Sequence, residues 1–86
     1  MMKSFEYTIR DEVGIHARPA GLLVNAVKAT ECKVTLKKGD KSADAGKLFA
    51  VMSLGVKCGD TVTLTVDGEN EDKAYEALKE FFEANL

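Results

Sequence analysis

The residues best suited to chemistry lie in one short stretch, residues 13–20, which contains the only histidine and the only proline of the 86-residue sequence. Histidine titrates near pH ~6.5, so a neutral and nucleophilic imidazole is available in the cell. Arg18 follows His16 by two residues and supplies a permanent positive charge. This combination suits a nucleophilic nitrogen held beside an anion, and a phosphoryl group carried on the imidazole is one chemistry that would use it.

The position of Pro19 predicts that a helix begins within this stretch. Proline is favoured in the first helical turn, because its missing N–H would have no partner there. We therefore expect His16 at or just before a helix N-terminus, where free N–H groups and the helix dipole favour an anion. The alternative is that His16 only caps the helix, although Ser, Thr, Asp and Asn are the preferred caps.

The active-site signature of HPr, the histidine-containing phosphocarrier of the bacterial sugar phosphotransferase system, resembles residues 14–20, which read Gly-Ile-His-Ala-Arg-Pro-Ala. The second helix of that family is similar to residues 51–55, Val-Met-Ser-Leu-Gly, and the resemblance covers nearly the whole chain. It implies a relay of phosphate from phosphoenolpyruvate through enzyme I to the histidine and then to a sugar-specific enzyme IIA. The protein would be a substrate of these partners rather than an enzyme, with no metal or organic cofactor.

The resemblance also implies a role for particular residues. His16 would accept the phosphoryl group, on Nδ1 by the family's pattern. Arg18 would stabilise the phosphate, and the backbone N–H groups of Ala17 and Arg18 would donate to it. An apolar ring around the site would dock the partners, and its members would be Leu22, Leu48, Phe49 and Met52.

Two positions depart from the family's pattern. Val13 stands where members often carry a small polar residue. Lys47 stands where many relatives from Gram-positive bacteria carry a serine, at the start of the second helix, that a dedicated kinase phosphorylates. Because lysine has no hydroxyl, we expect this switch to be absent, and we expect Gly46 to cap the helix instead.

The composition predicts one small globular domain spanning residues 1–86. A net charge of −2 argues against nonspecific binding to nucleic acid. No apolar run approaches the ~18 residues of a membrane span and no signal peptide is visible, so we expect a cytoplasmic monomer without membrane insertion. Two cysteines far apart and a single histidine disfavour a zinc site, and we expect Cys32 and Cys58 to be free thiols.

Hydrophobic periodicity predicts the order strand, helix, strand, strand, helix, strand, helix. The predicted elements cover residues 5–10, 17–29, 32–37, 41–45, 48–54 and 61–66, with a last helix beginning at residue 70 or 71. Each strand has one apolar face, which indicates an antiparallel sheet with helices on one side and a short third strand at its edge. Composition leaves a ferredoxin-like sheet open, and the resemblance implies the α+β open-faced β-sandwich of HPr. The lysines near the hairpin are Lys37, Lys38 and Lys41; one interpretation is a phosphate-binding patch, and we favour the solvated end of the hairpin.

Three other functions compete with that of a phosphocarrier. A regulatory protein-binding module would dock partners through the second helix, with phosphotransfer secondary. An RNA-binding sheet is disfavoured by the negative charge and by the lack of aromatic residues on the exposed strand faces. A small acid–base enzyme using His16 lacks a second catalytic group nearby in sequence. Labelling by enzyme I and phosphoenolpyruvate would distinguish a carrier from a binding module.

Overall fold

The structure is a computed structural model that describes residues 2–10, 12, 14, 15 and 17–86. Seven elements follow one another in the predicted order. The largest difference in bounds is at the first strand, which begins three residues earlier than expected. In chain order the elements are β1 Met2–Thr8, α1 Ala17–Thr30, β2 Lys33–Lys38, β3 Lys41–Asp44, α2 Leu48–Ser53, β4 Thr61–Asp67 and α3 Glu71–Asn85.

The four strands form one antiparallel sheet in the order β1-β4-β2-β3. The short β3 lies at an edge, as predicted. The register places Leu64 of β4 opposite Phe5 on one side and opposite Leu36 on the other. Residues directly opposite each other share a face of the sheet, so these apolar side chains form one continuous row.

The helices cover one face of the sheet and enclose the core. In α1 the apolar residues at helical spacing are buried, and they are Ala20, Leu23, Val24 and Val27. In α3, Ala74, Leu78 and Phe82 are buried, and the Phe82 ring lies 5.4 Å from that of Phe5, centroid to centroid. Phe81, the residue before Phe82, packs against the core but is only partly buried.

The other face of the sheet is open and polar. Thr61, Thr63 and Thr65 alternate with buried valine and leucine along β4, and the hydroxyl of Thr61 lies 2.9 Å from that of Thr8. The aromatic residues of the described strands, Phe5 and Tyr7, instead pack edge-to-face against Phe82 under the helices. On the described strands, the open face therefore has no aromatic residues on which bases could stack. The α+β open-faced sandwich is confirmed.

Cys32 and Cys58 are free thiols at opposite ends of the sheet, as predicted. Cys32 precedes Lys33, which pairs with Asp67 at the end of β4, whereas Cys58 lies just before the start of β4. β4 spans roughly 20 Å from end to end. A disulfide allows only roughly 7 Å between Cα atoms, so the two cysteines are too far apart to form one. In the described part of the chain no helix is long and apolar enough to cross a membrane.

Candidate functional site

Helix α1 begins at Ala17, the residue that follows His16 in the sequence. His16 and Val13 themselves lie outside the described residues. The first turn contains no acidic residue, and Arg18 is exposed there, while Pro19 is buried in the same turn as expected. The guanidinium and the positive end of the helix dipole therefore lie at the same end of α1, which favours an anion.

The loop before His16 is packed against the segment that follows α2. Gly14 has φ +79°, a left-handed conformation that favours glycine. A Cβ on Gly14 would lie only 2.4 Å from the carbonyl oxygen of Val56 and 2.6 Å from the Cα of Lys57. The next residue, Ile15, is buried and donates its main-chain N–H to the Val56 carbonyl at 3.1 Å. Tertiary contacts therefore hold both residues that precede His16.

Helix α2 has a buried side and an apolar exposed side, as predicted. Val51 and the following Leu54 are buried, whereas Phe49 is 83% exposed and Met52 is 38% exposed. Leu48 is partly buried against the core. Gly55 follows the C-cap residue Leu54, and its φ of +63° and its N–H bond to the Met52 carbonyl are typical of the position just beyond a helix C-terminus.

The exposed apolar residues of α1 and α2 lie on the helical layer that also carries the α1 N-terminus. Leu22 is 47% exposed and follows Arg18 by four residues, so both lie on one side of α1. Helices α1 and α2 pack against each other, and the chain leaving α2 contacts Gly14. We call the four apolar side chains Leu22, Leu48, Phe49 and Met52 the docking patch, after the role that the resemblance in the sequence implies for them.

The prediction that Gly46 caps α2 is wrong. Lys47 is the N-cap residue, with φ −121° and ψ 117°, and its side chain makes no capping hydrogen bond. Its carbonyl accepts the first helical hydrogen bond, from the N–H of Val51 at 3.1 Å. Gly46 lies one residue too early because the Asp44 side chain forms a turn there, and Asp44 Oδ1 accepts the Gly46 N–H at 2.8 Å.

Sequence reasoning missed one ionic contact, which lies beside the connection between α2 and β4. Lys38, interpreted as part of a solvated hairpin end, donates from Nζ to the Gly55 carbonyl at 3.0 Å and lies 3.1 Å from Asp60 Oδ2. The same carboxylate oxygen accepts the Lys57 N–H at 2.9 Å. The N–H of Lys57, and then the ammonium of Lys38, lower the pKa of Asp60 below its usual 3.8. The Gly59-Asp60 pair signalled a turn, but nothing local signalled its partner on β2.

The described residues contain no group of histidine, cysteine, aspartate and glutamate side chains that could hold a metal ion. What these residues do bring together is an electropositive helix start, a tightly packed loop and an apolar patch. The helix start favours an anion, and the exposed apolar patch favours a bound protein.

Comparison with known proteins agrees with this arrangement. Residues 3–84 match the family PTS-HPr, described as the PTS HPr component phosphorylation site. The phosphocarrier protein HPr of Mycoplasma genitalium is 40% identical over 87 residues, which cover 98% of this chain and 97% of that protein. The crystal structure of HPr-C-His from Thermoanaerobacter tengcongensis has a TM-score of 0.90 and 33% identity, covering 95% of this chain and 92% of that one. Crh from Bacillus subtilis, described as a swapped dimer, has a TM-score of 0.77 and 34% identity, covering 93% and 92%.

The open-faced sandwich and the helix start that follows the single histidine define a class of protein, the small phosphocarriers. The chain belongs to the HPr family of the phosphotransferase system. It is a phosphocarrier of that system and not a catalyst, as the resemblance in its sequence predicted.

Proposed function

We propose that His16 accepts the phosphoryl group from phospho-enzyme I and passes it to a sugar-specific enzyme IIA in sugar uptake that depends on phosphoenolpyruvate. The observation that carries this proposal is the start of α1 at Ala17, with Arg18 exposed and no acidic residue in the first turn. A neutral imidazole nitrogen, Nδ1 by the family's pattern, forms the bond to phosphorus as the donor's bond to phosphorus breaks.

Ala17 and Arg18 stabilise the phosphorylated form. They are the first two residues of α1, so their N–H groups have no partner within the helix. Both N–H groups donate to the phosphoryl oxygens, and the Arg18 guanidinium adds a charge-assisted bond. The helix dipole acts in the same direction, because a dianion is favoured at a helix N-terminus.

The docking patch binds enzyme I and enzyme IIA in turn. Its exposure supports this role, since Phe49 and Met52 leave apolar surface uncovered on a protein whose other large apolar side chains are mostly buried. Methionine and phenylalanine adapt to more than one partner surface. The patch also favours the second candidate function, an HPr-like regulatory module that binds proteins, with phosphotransfer secondary.

We also propose that residues 1–86 are a single HPr-like domain that acts as a cytoplasmic monomer without a cofactor. One chain is sufficient to complete the sheet, because β1 pairs with β4 from Met2↔Asp67 to Thr8↔Thr61. The molar mass in solution tests the proposed monomer, because an exchange of an element between two copies of the chain would double the mass.

Incubation with enzyme I and phosphoenolpyruvate, followed by intact mass, tests the function. The wild type should gain one phosphoryl group that is labile in acid and stable in base, as phosphoramidates are. His16→Ala should gain none while melting at the same temperature. Equal labelling of His16→Ala would refute the assignment of His16. A wild type that binds enzyme I without being labelled would instead be a binding module.

A further inference from the structure

We propose that Lys38 and Asp60 act as a positioning pair, which holds the loop before His16 in the geometry that phosphoryl transfer requires. The proposal rests on His16 as acceptor, the function proposed above. Neither residue touches the phosphoryl group. Both act through the segment 55–60 that connects α2 to β4.

The pair fixes that segment from both ends. Lys38 Nζ donates to the Gly55 carbonyl at 3.0 Å and lies 3.1 Å from Asp60 Oδ2. Asp60 Oδ2 also accepts the N–H of Lys57 at 2.9 Å, within the segment. One lysine on β2 therefore joins the first and the last residue of the segment, and the carboxylate fixes its middle.

The loop that leads to His16 rests on the residues held in this way. Ile15 donates its N–H to the Val56 carbonyl at 3.1 Å. Gly14 approaches the backbone of Val56 and Lys57 so closely that even a Cβ would not fit. No side chain lies between the two backbones at this point, so a displacement of residues 56–57 would move Gly14 and Ile15 directly.

The start of the same loop depends on the segment as well. Ile9 donates its N–H to the Asp60 carbonyl at 2.9 Å and accepts the N–H of Gly59 at 2.9 Å. The described residues on either side of the loop therefore both bond to segment 55–60. A single ion pair behind that segment can set the position of the residue immediately before His16.

The pair is suited to positioning more than to stability. Its side chains are 32% and 34% exposed, and ion pairs at that exposure contribute little net free energy of folding. The rate of phosphoryl transfer is more sensitive to geometry than the free energy of folding is, because a misplacement of about 1 Å can lower a rate about 100-fold. Removing the pair should therefore slow phosphoryl transfer while lowering the free energy of unfolding only slightly.

Steady-state kinetics of enzyme I with this chain as its substrate test the proposal, using Asp60→Asn and Lys38→Met. We expect kcat to fall about three- to ten-fold, a fraction of the loss for a 1 Å displacement. KM should not change, because the docking patch is untouched. Lys38→Arg, which keeps the charge and the donor, should restore most of kcat.

A matched control is the exposed ion pair of Lys3 and Asp72, which lies at the opposite end of β4. Lys3→Met and Asp72→Asn should leave kcat unchanged. A second measurement follows the amide of Ile15 by NMR. Its chemical shift should change in Asp60→Asn and Lys38→Met, and should not change in the control variants.

Three outcomes would overturn the positioning role. The first is an unchanged kcat in both variants. The second is a rise in KM with kcat intact, which would make the pair a docking element. The third is a slower transfer with an unmoved Ile15 amide. Failure of the proposed function is a separate result, since a wild type that enzyme I does not label would refute it while the Ile15 amide still reports on the coupling.

Discussion

Ile15 donates its main-chain N–H to the carbonyl oxygen of Val56 at 3.1 Å, which joins the residue before His16 to the segment that leaves α2. The two residues are distant in sequence and belong to different connections. The hydrogen bond means that the position of the loop before α1 depends on where α2 ends.

Gly14→Ala should destabilise the protein and slow phosphoryl transfer. The left-handed backbone and the overlap with the Val56 carbonyl together should lower the free energy of unfolding by roughly 2–4 kcal/mol. Gly39→Ala is the control, because Gly39 also has a positive φ, +57°, but open space around it. It should lose only the conformational part, about 1–2 kcal/mol. Urea unfolding measures both, and equal losses would contradict the close contact at Gly14.

Phe49→Ala should impair transfer while changing stability little, because its side chain is 83% exposed. Phe82→Ala is the opposite case, since a fully buried phenylalanine costs roughly 3–5 kcal/mol when truncated. Thermal melts and transfer rates from enzyme I, measured side by side, separate docking from packing. A large melting shift with normal transfer in Phe49→Ala would mean that Phe49 belongs to the core.

The contribution of Asp60 to stability should depend on pH. The pKa of Asp60 is lowered in the folded protein, chiefly by the Lys57 N–H and then by Lys38, so the folded state favours the carboxylate. The wild type should therefore be more stable than Asp60→Asn above about pH 4, the unfolded pKa. The difference should shrink as pH falls through the folded pKa and then vanish. Urea unfolding of both proteins from pH 7 to pH 2 checks this, and a constant difference would exclude the ionised carboxylate as its source.

Lys47→Ser should stabilise the protein. Lys47 occupies the N-cap of α2 without a side-chain hydrogen bond, and serine can accept one from the N–H groups of the first turn. The gain should be about 0.5–2 kcal/mol, measured by urea unfolding. Lys47→Ala is the control, and an equal gain in that variant would assign the effect to the loss of lysine alone.

The same substitution tests the predicted absence of the serine switch. A serine kinase that acts on relatives from Gram-positive bacteria should add no phosphate to the wild type and should phosphorylate Lys47→Ser. Ser53, exposed in the same helix with its hydroxyl bonded to the Ala50 carbonyl, is the other acceptor to watch. Phosphorylation of Ser53 in the wild type would show that the switch has moved and is not lost.

The periodicity of single segments predicted which side of each element faces the core. In β4, Val62 and Leu64 alternate with threonines, and a strand places alternate side chains on opposite faces. In α1, Leu23 and Val27 recur at helical spacing. These patterns depend only on residues a few positions apart. The sequence by itself therefore determined the element order, the edge position of β3 and the apolar side of α2.

Only the tertiary structure decided the contacts between distant segments. Phe81 and Phe82 are neighbouring residues of the same type, yet it is the Phe82 ring that contacts the rings of both Phe5 and Tyr7. The partner of Lys38 could not be predicted, because Asp60 approaches it only when β2 pairs with β4. The need for glycine at position 14 has the same origin, since the Val56 backbone excludes a side chain there. Such contacts depend on how the sheet and helices assemble, and a local pattern carries no signal of which distant residues will meet.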